Sequence, residues 1–164
     1  MARTAKRAAA SIQDGRLTFL RVGGNYLPYH HGGQLATDPS VFMPLDHDGS
    51  DPLALSPGEG DFVIAIGYAA PPGTEWWGEP EMLRRAGRGV AWVISAFLTR
   101  PADLRRREIL IDQRWSEGDA VVRVSGYDVP LCPVSGVIGE AILWALTAET
   151  HARVEEHRAS LRGQ

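Results

Sequence analysis

The run DFVIAIGY (61–68) constrains the fold of this chain more than any other stretch. Its apolar residues do not alternate with polar ones, and turn formers close it on both sides, Gly60 before it and Pro71-Pro72-Gly73 after it. An unbroken apolar run of strand length predicts a strand buried on both faces, in the middle of a sheet. Such a strand needs neighbours, and three segments have the composition for it. RLTFLRV (16–22) reads as a strand and stops at Gly23-Gly24. REILIDQ (107–113) and DAVVRVSGY (119–127) flank the turn-like RWSEG and read as a hairpin. In the second, Val122 and Val124 fall on one side and Val121 and Arg123 on the other, giving a strand over 119–126. Hairpin pairing makes the expected sheet small and mostly antiparallel.

Helical periodicity supplies the second layer. Pro80 stands where a first helical residue is favoured, and Met82, Ala86, Val90, Val93 and Phe97 then recur on one helical face, predicting a helix near 80–99 that Pro101 ends. Gly87 and Gly89 inside it cost about 1 kcal/mol each relative to Ala, which close packing against a neighbour would explain. The segment GEAILWALTAETHARVEEHRASLRG has two readings. Ile138, Ile142, Ala145, Ala148 and Ala152 share a face of one long helix; alternatively 140–146 is a strand, with Thr147 capping a helix over 148–161. Residues 1–14 form a basic arm or a short frayed helix. The expectation is therefore an α+β fold: an N-terminal arm (1–14), then a single domain (15–164) whose sheet packs against helices near 80–99 and 148–161. A long polar loop at 23–60 interrupts it, with SVFMPL (40–45) its best strand candidate.

Composition removes several chemistries. Lys6 is the single lysine against sixteen arginines, which reads as the coding bias of a high-GC bacterium. There is no internal lysine for a phosphate-binding loop, a Schiff base or a general base. Cys132 is the single cysteine, so neither a disulfide nor a thiolate-rich zinc site forms within the chain. A net charge of −3 gives no general pull toward nucleic acid or an anionic membrane. The start, MARTAKRAAASIQDG, lacks an apolar h-region, and no run is long enough to span a membrane, so the expected location is the cytoplasm.

The loop segment YHHGGQLATDPSVFMPLDHDGSD (29–51) gathers histidines and aspartates. His30, His31, Asp46, His47 and Asp48 are the candidate ligands of one divalent metal ion, whose bound water would act as nucleophile. A helix–loop–helix calcium site counted from Asp46 fails, because Ser50, Asp51 and Pro57 stand where an Asp or Asn, a Gly and an acid are required. Turn-rich polar loops need no ligand, so the reading preferred from sequence is a protein without cofactor. The arginine clusters LRRAGR and LRRRE suit phosphate contacts, but Asp103, Glu108 and Asp112 balance the second, which reads as a solvated face. Cys132 in CPVS precedes a helix start and lacks a resolving cysteine. GxSxG, HExxH and GxGxxG are absent.

Trp76-Trp77 follow PPGTE, between the strand and the helix, where two large side chains are seldom both buried. Paired tryptophans on a rim anchor a protein partner or stack a ligand. With Tyr29 and His30 they form the candidate binding surface. The order DFVIAIGY, APPGTEWW, LRRAGRGV, VPLCPV, EAILWALTAETHARVEEH over residues 60–161 resembles the suppressor-of-fused-like domains of bacteria. That resemblance implies a non-enzymatic protein-binding domain with an immunity or partner-sequestering role. The functional expectation is a non-catalytic module that binds a protein partner, self included, as an immunity or regulatory protein or as an assembly component of a phage or mobile element. The alternative is a metal-dependent enzyme or metal-stabilised module built on the 29–51 loop.

Overall fold

Thr18–Val22 (β1), Phe62–Ile66 (β3), Val90–Ile94 (β4) and Ile109–Asp112 (β5) lie side by side, all parallel, with the two-residue Met43–Pro44 (β2) outside β1. The strand order is β2-β1-β3-β4-β5. The computed structural model describes residues 1–22, 42–44, 57–67, 83–94, 104–114, 120–128 and 131–163. Ala2–Gln13 (α1) precedes the sheet; Ala120–Val122 (β6) and Leu131–Pro133 (β7) form a separate antiparallel pair, and Val134–Arg162 (α2) ends the fold. Among the described residues no helix is long and apolar enough to cross a membrane.

This architecture is α/β, and the expectation of a mostly antiparallel α+β sheet is wrong. The strands near 16–22, 61–68 and 107–113 are present, but they pair in parallel: Leu20 opposite Ile64, Ala65 opposite Trp92, Val93 opposite Ile111. The supposed hairpin does not form, because β5 joins the parallel sheet while β6 pairs with β7. Residues 140–146 are helical, inside α2. The physical reason is burial on both faces. Phe62, Ile64 and Ile66 point to one side with Leu20, Ala91, Val93 and Ile111; Val63 and Ala65 point to the other with Phe19, Val90, Trp92 and Ile94. Strands covered on both sides are the rule for parallel sheets and rare in two-layer antiparallel ones.

The helix expected near 80–99 is also overturned in its described part. Residues 84–89 form turns and 90–94 are the central strand β4. Gly89 adopts φ 100°, and a Cβ there would lie 1.9 Å from the carbonyl oxygen of Arg107. No side chain fits, and a helix cannot continue through that conformation. VAWVI is then a β-branched and aromatic run buried at every position, which a strand accommodates and a one-faced helix does not.

α1 and α2 cover one face. Ala5 and Ala8 of α1 and Leu143 and Leu146 of α2 share the core with Leu20, Phe62 and Val93. The segment expected as an arm or frayed helix is thus packed, with Thr4, Ala5, Ala8, Ala9 and Ser11 buried. Its alanines allow close approach to the sheet, and Ser11 Oγ ties it down by donating toward the carbonyls of Leu17 (2.8 Å) and Gly60 (3.0 Å). On the other face the described cover is Leu83 and Ala86.

Candidate functional site at the carboxyl edge of the sheet

A parallel sheet brings the carboxyl ends of all its strands to one edge. Here these ends are Val22, Ile66, Ile94 and Asp112. From β1 the chain proceeds to β2 on one side, and β3 then lies on the other side of β1. The strand order thus reverses between β1 and β3, the kind of point at whose carboxyl side open parallel sheets bind ligands.

The described polar groups at this edge are tightly organised. Gln113, only 5% exposed, directly follows β5. Its backbone N–H donates to the carbonyl of Ile94 (2.9 Å), and its Nε2 donates to the carbonyls of Val93 (3.2 Å) and Gly67 (3.5 Å). The N–H of Gly67 donates to Val93 as well (3.0 Å). One buried amide thus joins the ends of β3, β4 and β5, adding a second bond at the Val93 carbonyl and one at Gly67. The next residue, Arg114, sits at φ 58° and donates its N–H to Asp112 Oδ1 (2.9 Å). A non-glycine residue in the left-handed region stores strain of about 1 kcal/mol, and such residues cluster at functional edges.

α2 packs beside α1. Gln13, at the end of α1, donates to the Arg153 carbonyl (3.2 Å), while every residue from 155 to 163 is exposed. α1 therefore lies along the part of α2 before Arg153, and the two helices run in the same direction. α1 itself lies along the amino edge, from Arg7 at the Arg88 and Arg107 carbonyls to Ser11 at the Gly60 carbonyl, so its course assigns the start of α2 to neither edge.

The residues nominated from sequence do not enter this geometry. Trp76, Trp77, Tyr29 and His30, and the metal candidates His31, Asp46, His47 and Asp48, all lie outside the described residues. In chain order Tyr29–His31 fall between β1 and β2, and Trp76-Trp77 between β3 and β4. Among the described residues, no three His, Cys, Asp or Glu side chains come together as a metal-holding group. Cys132 is in β7, two residues before α2. Gln113 and Arg114 were not nominated; the available signal was a polar pair closing an apolar strand.

Compared with known proteins, the chain matches no protein-family model, no curated protein and no solved structure. The resemblance to suppressor-of-fused-like domains thus rests on its residues alone.

Proposed function

We propose that this domain binds a small anionic ligand at the carboxyl edge of its parallel sheet, between the ends of β1 and β3. The observation that carries this reading is the all-parallel order β2-β1-β3-β4-β5, in which ligands bind at the reversal of strand order. The Gln113 network supplies a floor, and the exposed Arg114 beside it supplies a cation for the anionic group. Fold order supports this place for binding and says nothing of a reaction, so the ligand class is argued from the polar groups around it.

The test is a thermal-shift screen of phosphate monoesters, nucleotides and di- and tricarboxylates, followed by backbone amide mapping of any hit. A ligand at a hundredfold excess over its Kd should raise the melting midpoint by about 5–10 °C. Its amide shifts should concentrate at Gly67, Gln113 and Arg114. A panel without effect, or shifts confined to the amino edge, would reject this reading.

A second reading, a protein-binding domain, is favoured by the outer face of α2. Val137 is 67% and Trp144 45% exposed, on a face where Ala141, Ala145 and Ala148 are exposed too. An apolar strip of this kind suits a protein contact, a second copy included. Sedimentation equilibrium of wild type and Trp144→Arg tests the self-association form; a monomer in both would end it.

A further inference from the structure

Three basic segments far apart in the sequence converge at the opposite, amino edge of the sheet. They are α1, the turn 84–89 before β4 and the turn 105–107 before β5. Arg3, Lys6 and Arg7 stand on one face of α1 at helical spacing and, with Arg88 and Arg107, line a groove of about 370 Å³. Among the described residues the remaining lining is Ala10 and Gly87, with no carboxylate.

The guanidiniums are held before any ligand arrives. Arg7 Nη1 donates to the carbonyls of Arg107 (2.5 Å) and Arg88 (3.3 Å). Arg107 Nη1 donates to Gly87 (2.5 Å), and Arg88 Nε to Gly60 (2.8 Å). Backbone carbonyls orient these cations without neutralising them. Among the described residues only Arg88 of the five has a carboxylate partner, Asp14. Burial pushes the Arg7 guanidinium below its usual value, and the charges of Arg3 and Arg107 push it the same way. Like charges held together without a counter-charge are a site whose repulsion an anion would relieve.

We propose that this amino-edge groove binds a short polyphosphate group, free or as the phosphate chain of a nucleotide. Several fixed cations spread over one groove match several linked phosphates better than a single monoanion. The volume lies at the small end of the range for small-molecule clefts, about 300–1,000 Å³. An extended nucleic acid fits less well. The whole chain carries −3, which gives no long-range attraction for a long polyanion. This site is distinct from the one at the carboxyl edge and stands whether or not that one binds its ligand.

The experiment is calorimetric titration of the full chain with sodium tripolyphosphate, pyrophosphate and inorganic phosphate at low salt, beside the double variant Arg3→Gln/Lys6→Gln. Both residues are exposed and make no contact with a carboxylate among the described residues, so the variant should keep its melting midpoint. Expected is an affinity order of tripolyphosphate over pyrophosphate over phosphate, and a loss of at least about tenfold for tripolyphosphate in the variant. Should the double variant not fold, Lys6→Gln alone should still weaken binding severalfold. Adenosine triphosphate binding as tightly as tripolyphosphate identifies a nucleotide source, and its exclusion identifies the free polyanion; both support the site. Three results overturn it: no binding by the wild type, equal binding by the variant, or an equal loss in Arg158→Gln on the far end of α2. An oligonucleotide of about twenty residues that binds more tightly than tripolyphosphate also overturns it, in favour of a nucleic-acid face.

Discussion

Gly89 and Arg114 both occupy the left-handed region of backbone space, at opposite edges of the same sheet. At the amino edge the position is filled by glycine, and the Arg107 carbonyl occupies the place of a side chain. At the carboxyl edge the position is filled by an arginine, and only the Asp112 side chain supports its backbone. One edge meets an unusual conformation with the residue that adopts it freely; the other keeps a residue that resists it. Where folding alone decides, the strain-free residue is expected, so a retained strain points to a use outside the fold. Ser11, which closes the amino edge onto α1, and Asp61, whose carboxylate accepts the N–H groups of Leu17 (3.0 Å) and Gly58 (2.9 Å), fit the same division.

The comparison breaks most visibly at Gly89. Gly89→Ala sets a methyl group against a backbone oxygen that anchors β5, in a conformation alanine avoids. The expected loss is about 4 kcal/mol or more, enough to leave little folded protein, and urea unfolding measures it. A variant that kept its midpoint would mean that the β4–β5 entrance can shift, and the contrast between the edges would lose its rigid half.

Why the edges were unequally legible in the sequence follows from what each depends on. DFVIAIGY announced a doubly buried strand, and β1, β5 and β6 lie where composition set them. Pairing was not legible, because parallel and antiparallel partners differ in connection and not in residue type. VAWVI satisfied a helical period through Met82, Ala86, Val90 and Val93 and was as unbroken as the run at 61–68; the glycine pair before it was the sign that the helix stops. The strand reading of 140–146 failed because Leu143 and Leu146, at helical spacing, both face the sheet from α2. The arginine clusters were visible as suited to phosphate contacts, and the second read as a solvated face, but their meeting with α1 was not legible because it spans 81 to 100 residues of chain. The nominated tryptophans and histidines lie in stretches outside the described residues, whereas Gln113 looks like any polar residue after a strand until its partners are known.

Gln113 gives the intermediate effect. Gln113→Leu keeps the volume but removes the donor that reaches Val93 and Gly67. The Val93 carbonyl keeps the Gly67 N–H, so the loss is that of two side-chain hydrogen bonds, about 1–3 kcal/mol together, and this edge is where it should appear. Amide exchange at Gly67 should quicken with the fall in stability, while exchange at Gly87 and Gly89 should change only by the global amount. Uniform quickening across both edges would show that Gln113 supports the sheet as a whole and has no special tie to the carboxyl edge.

Arg114→Gly should have the smallest effect on stability, and its sign separates the two edges. Glycine enters φ 58° without steric cost, so relief of strain raises stability by up to about 1 kcal/mol, less what the freer unfolded chain takes back. The N–H to Asp112 contact is a backbone bond and survives the change. If the arginine is kept for ligand contact, the variant should gain or hold its melting midpoint yet lose most of the ligand-induced thermal shift. A guanidinium–anion contact is worth about 1.5–3 kcal/mol, which corresponds to at least about tenfold in affinity. Loss of stability instead would mean that the arginine side chain holds the turn, and the conformation at 114 would then be a demand of the fold, like that at Gly89. Gain of stability with loss of ligand response is the outcome that only a functional edge produces.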